Sequence, residues 1–211
     1  MTKINVKKTL NLHKYSIRVT DFISNWKFIL PIGLSVFGLA VGANFAKGEG
    51  DVYHLFTEYL NKFLLENNTE NVISNIIFYL LIPTVFAVIL FFCGLSVYGG
   101  LVANAIPFCY SLFIGAITYY FYNNYTLKGL AYCVIIIFPY AVLSLFSLIL
   151  MTGECINMSQ VLAKNLNKNT KVNDYSFNFY YKNCLKSYIF IIAATVIKVI
   201  LDSLFISLFS F

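Results

Sequence analysis

Between Glu70 and Lys128 the chain runs 57 residues without a charged side chain, a stretch that a domain of 211 residues cannot easily keep from water. The solvent that suits it is lipid. A helix rises ~1.5 Å per residue, so such a run would reach roughly 85 Å, more than twice a hydrocarbon core of about 30 Å. The segment must therefore cross, turn and cross back. Composition extends the argument to the rest of the chain: 59% hydrophobic residues, 11% charged and a mean hydropathy of +0.75 read as a polytopic membrane protein.

Five apolar stretches, about Phe28 to Phe45, Asn75 to Leu95, Leu101 to Phe121, Gly129 to Met151 and Ser187 to Phe209, each approach the roughly 20 residues that a crossing needs. Helix is expected in all of them, because an open strand in lipid leaves its backbone groups unpaired and the alternation of a barrel strand is absent. The expected fold class is all-α: a polytopic integral membrane protein with five transmembrane helices plus amphipathic interfacial helices. Residues 1–27 read as a cytoplasmic basic amphipathic segment. Residues 28–211 read as the five-helix transmembrane domain, with an outer amphipathic helix near 51–66 and a cytoplasmic loop near 152–186. No cleavable signal peptide is expected, because a long mixed segment with six basic residues precedes the first apolar run.

Orientation follows from the charges outside the spans. Lys3, Lys7, Lys8, Lys14, Arg18 and Lys27 precede the first span, and Lys164, Lys168, Lys171, Lys182 and Lys186 lie between the fourth and fifth. The loop after the first span sets only Lys47 and Lys62 against Glu49, Asp51, Glu58, Glu66 and Glu70, and the loop after the third has Lys128 alone. The positive-inside rule then puts the N-terminus in the cytoplasm and the C-terminus outside. The net charge of +6 is on this reading a topology signal, and nothing suggests a nucleic-acid partner. Fourteen Lys against one Arg, with abundant Asn, Ile, Phe and Tyr, point to an AT-rich bacterial genome.

Two stripes outside the spans have helical spacing. Val52, Leu55, Phe56, Tyr59, Leu60, Phe63 and Leu64 form an amphipathic face on the predicted outer surface, with Leu55, Tyr59 and Phe63 as candidate partner-docking residues. Leu12, Tyr15, Val19, Phe22, Ile23 and Trp26, flanked by Lys8, Lys14 and Arg18, suit the inner headgroup layer. Either helix can float at the lipid interface or dock on a partner's membrane-proximal segment.

Within the spans, Gly38, Gly42 and Ala46 recur every four residues and are candidates for close helix packing. Pro83, Pro107 and Pro139 each remove a helical hydrogen bond, and their bends can serve plain packing or frame a cavity. Lys198 and Asp202 are the charges placed deep in a span. Four residues apart, they form a candidate intramembrane polar pair that can neutralise itself, and they read as a structural lock, a contact for protein or substrate, or a coupling site.

No catalytic, cofactor-binding or metal-ligating residues are proposed. His13 and His54 are isolated, and the five cysteines have neither metal-site spacing nor a disulfide framework, so packing is the expected role of Cys93, Cys109, Cys133, Cys155 and Cys184.

The order of features resembles the bacterial stage II sporulation protein M family over nearly the whole chain. The resemblance rests on Phe37-Gly38 to Gly42-Ala43, Tyr59-Leu60-Asn61-Lys62-Phe63, Gly94-Leu95-Ser96, Leu127-Lys128-Gly129-Leu130, Phe138-Pro139, and Asp202 followed by Phe205 and Ser207. Tyr140, Phe146 and Leu208 stand where relatives often carry other residues. The resemblance implies a non-enzymatic scaffold in the plasma membrane that anchors and localises membrane-anchored peptidoglycan hydrolases at the septum during forespore engulfment. The alternative is a small transporter or permease subunit. Five spans make a small transporter monomer, so that reading calls for a homo-oligomer.

Overall fold

The computed structural model describes residues 26–47, 58, 72–166 and 176–205, and every regular element among them is helical. In chain order these are α1 (Trp26–Phe45), α2 (Val72–Gly94), the single turn α3 (Gly99–Val102), α4 (Ala105–Tyr132), a π-helical turn (Cys133–Ile137), α5 (Phe138–Leu166) and α6 (Phe177–Phe205). Three helical stretches are long and apolar enough to cross a membrane, Lys27–Phe45, Gly99–Asn165 and Phe177–Leu204, and Tyr79–Gly94 is a shorter apolar helix.

The stretch Gly99–Asn165 is 67 residues long, and it folds back on itself. Thr126 has φ 49° and ψ −125°, outside the helical region, and breaks α4 near its end. Contacts across the corner then step in opposite directions along the chain: Phe121 on Tyr132 with ring centroids 4.8 Å apart, and the Tyr110 hydroxyl 2.7 Å from Ser144 Oγ. The two legs are antiparallel. Phe91 stacks on Tyr180 at 5.4 Å while Thr84 reaches Tyr188 at 3.0 Å, so α2 and α6 are antiparallel too.

Among the described residues the result is a bundle of five long legs, α1, α2, α4, α5 and α6. One end gathers Lys27, the Gly94–Asn104 connection, the end of α5 and the start of α6. At the other lie Lys47, Thr126, Lys128 and the described end of α6. Lys27 Nζ donates to Asn157 Oδ1 at 2.6 Å, and Ser159 Oγ donates to the Val97 carbonyl at 2.7 Å, which ties the first end together.

Close packing is built from small residues. Helix α1 runs parallel to α4, with Phe37 on Phe108 near one end and Lys47 over Tyr119 near the other. A methyl at Gly38 would run into Ser111 Oγ and the Phe108 carbonyl, one at Gly42 into the Leu112 carbonyl, and one at Gly115 into the Leu39 carbonyl. The backbones thus touch where no side chain intervenes, the close approach that small residues allow in lipid.

Two features differ from the sequence expectation. The segment 152–186 is not simply a loop: α5 continues to Leu166 and α6 resumes at Phe177. Helix outlasts the apolar stretch because polar residues at the interface keep helical bonds without cost. The prolines also act differently from one another. Pro107 leaves the Ala103 carbonyl to the Ile106 N–H at 3.3 Å, whereas Pro139 follows the π turn, in which Phe138 N–H reaches back five residues to the Cys133 carbonyl. Widening the helix just before Pro139 gives its ring room.

Candidate functional site

At the Thr126 end, where α2, the π turn and α6 converge, the interior is polar. Lys198 Nζ lies 2.7 Å from Asp202 Oδ2, and Lys198 is only 3% exposed. Such a pair needs compensation, since taking an ionised group out of water costs roughly several kcal/mol per ion. Its geometry alone does not supply it: the lysine precedes the aspartate, the weaker order on a helix, and Asp202 sits near the negative end of the α6 dipole.

The bundle provides the rest. Lys198 Nζ stands 3.2 Å from the centroid of the Tyr79 ring on α2, and the Tyr132 hydroxyl donates to Asp202 Oδ1 at 3.0 Å. The cation therefore has a carboxylate on one side and a π face on the other, and the anion is bonded through both oxygens. The π turn begins at Cys133, directly after Tyr132, and so re-aims the chain where Tyr132 meets α6.

A second set of polar contacts meets the Tyr79 backbone. Pro83 has no N–H for the Tyr79 carbonyl four residues back, and the Tyr140 hydroxyl donates to that carbonyl at 2.8 Å. Tyr110 bonds Ser144 Oγ, and Ser144 Oγ donates to the Tyr140 carbonyl at 2.7 Å. The Ser144 hydroxyl ends on the Tyr140 carbonyl and the Tyr140 hydroxyl on the Tyr79 carbonyl, and a carbonyl accepts but cannot pass on a proton. Lys198 meets the face of the Tyr79 ring. The arrangement ties α2, α4, α5 and α6 together.

Lys198 and Asp202 lie together in this cluster. Gly38 and Gly42 lie elsewhere, on the α1 face against α4, and Ala46, just past the end of α1, is 3% exposed. Leu55, Tyr59 and Phe63 fall outside the described residues, as does most of the basic N-terminal stripe. Reasoning from sequence missed Tyr79, Tyr132, Tyr140, Tyr110 and Ser144. One signal was available for Tyr79, which precedes Pro83 by four residues and so must lose its helical partner. Among the described residues no group of His, Cys, Asp and Glu is arranged to hold a metal ion.

Comparison with protein-family models, with characterised proteins and with solved structures finds no match to this chain.

Proposed function

We propose that the chain is a non-enzymatic membrane scaffold resembling stage II sporulation protein M, with five crossings in a bacterial plasma membrane, its N-terminus inside and its C-terminus outside. Each long leg is one crossing. Lys27, Lys164, Lys182 and Lys186 share one end of the bundle, which supports the cytoplasmic assignment of that end. The function is to anchor and localise membrane-anchored peptidoglycan hydrolases at the septum during forespore engulfment, with the cell-wall chemistry belonging to those partners.

The observation that carries this reading is the paired interior: Lys198 is held by Asp202 and the Tyr79 ring, Asp202 by Lys198 and Tyr132, and the Tyr140 hydroxyl is spent on the Tyr79 carbonyl. A permease subunit, the other reading, needs polar groups that exchange partners along a path. A platform needs a body that does not move. Fluorescence imaging of the hydrolases tests the proposal. In cells lacking this chain they should lose their septal focus and spread over the membrane, and an unchanged focus would overturn it.

A further inference from the structure

The contacts around Lys198 close into a circuit that begins and ends on the leg following the Thr126 break. From Tyr132 it runs through Asp202 and Lys198 to the Tyr79 ring, and the Tyr79 carbonyl returns it to the Tyr140 hydroxyl. Tyr132 and Tyr140 are eight positions apart. A regular α-helix turns about 100° per residue, so eight steps overshoot two full turns by about 80° and set the two side chains on different faces.

The π turn between them changes the count. Cys133 N–H still reaches the Gly129 carbonyl, four residues back, whereas Phe138 N–H reaches Cys133, five back, so the turn holds one residue more than an α-helix needs. Eight positions across it therefore face as seven do, about 20° short of two turns, which is the i, i+7 spacing of a single helix face. The surplus is lodged away from the core: Val134 and Ile135 are exposed, between buried Cys133 and Ile136.

We infer that the π turn is a register device: it brings Tyr132 and Tyr140 onto one face, so that a single leg latches α6 and α2 at once. Straightened with every residue kept, the leg would swing Tyr132 about 80° off that face and take its hydroxyl from Asp202 Oδ1. Shortened by one residue, the leg should straighten and keep both latches. The device does not depend on which end of the bundle is cytoplasmic, nor on the scaffold reading.

Deletions test it. Membrane abundance and the unfolding midpoint in detergent are measured for the full chain and for forms lacking Val134 or Val142, the latter an exposed residue of the regular helix α5, each with and without Tyr132→Phe. Without Val134 the chain should stay within about twofold of the unaltered abundance, and Tyr132→Phe should lower its midpoint as much as in the unaltered chain. Without Val142 the rest of α5 is turned by about 100°, and abundance should fall about fivefold or more. Loss of Val134 as damaging as loss of Val142 would overturn the inference, as would tolerance of both deletions. So would a Tyr132→Phe change that is silent in the unaltered chain or becomes silent once Val134 is gone, since a latch that has swung away has no bond left to lose.

Discussion

The Tyr140 hydroxyl stands 2.8 Å from the Tyr79 carbonyl, the acceptor that Pro83 strips of its helical partner. A side chain of α5 thus completes the backbone of α2, and the bend in one leg is fixed by its neighbour. Tyr140→Phe should leave that carbonyl unpaired in an apolar setting. A single lost hydrogen bond of this kind costs about 1 kcal/mol, so the variant should still insert but unfold earlier in a detergent titration. An unchanged midpoint would mean that another donor takes the carbonyl.

Lys198 and Asp202 allow a sharper test. Asp202→Asn keeps an acceptor for Tyr132 but strands a buried ammonium, a change expected to cost about 3–5 kcal/mol and to lower the folded protein in the membrane. Lys198→Met combined with Asp202→Asn should recover most of that abundance. Quantitative immunoblots of membrane fractions check both, and equal abundance in all variants would contradict a locked pair.

Gly42 faces the Leu112 carbonyl with no space for a methyl. Gly42→Leu should therefore push α1 off α4 and destabilise the bundle by about 3 kcal/mol, at the upper end of the 1–3 kcal/mol typical of overpacking because the obstacle is backbone. Gly33→Leu, at a position where an added methyl would meet nothing within 4 Å, is the control and should be neutral. Thermal unfolding in detergent separates the two.

Much of this architecture is legible in the sequence, and the boundary of legibility has physical causes. Hydropathy alone marks out helical legs, because in lipid no other open backbone satisfies its own hydrogen bonds. The spacing of Lys198 and Asp202 puts both on one face of a helix. Tyr132 and Tyr79 are different: they are two of sixteen tyrosines, and only the register between legs brings them to the ion pair. The π turn is likewise silent in a pattern of apolar residues, since Cys133 to Ile137 read as any membrane segment. The chain reversal at Thr126 carries no glycine or proline at the break itself.

Orientation has a direct readout. In a cysteine-free background, a single cysteine at Glu66 should react with an impermeant maleimide added outside intact cells, and one at Lys164 should react only after the membrane is opened. A cysteine at Glu66 that labels only from the cytoplasm would reverse the assignment of both ends.

Partner capture tests the scaffold claim most directly. The measurement is the recovery of membrane-anchored peptidoglycan hydrolases with the affinity-tagged chain from gently solubilised membranes, for the unaltered protein and for a variant with Leu55, Tyr59 and Phe63 all changed to Ser. The account predicts hydrolases in the first sample, and at least about a fivefold loss in the second at an equal membrane level of the chain. Absence of hydrolases from the unaltered sample, or recovery that the three substitutions leave unchanged, would contradict it.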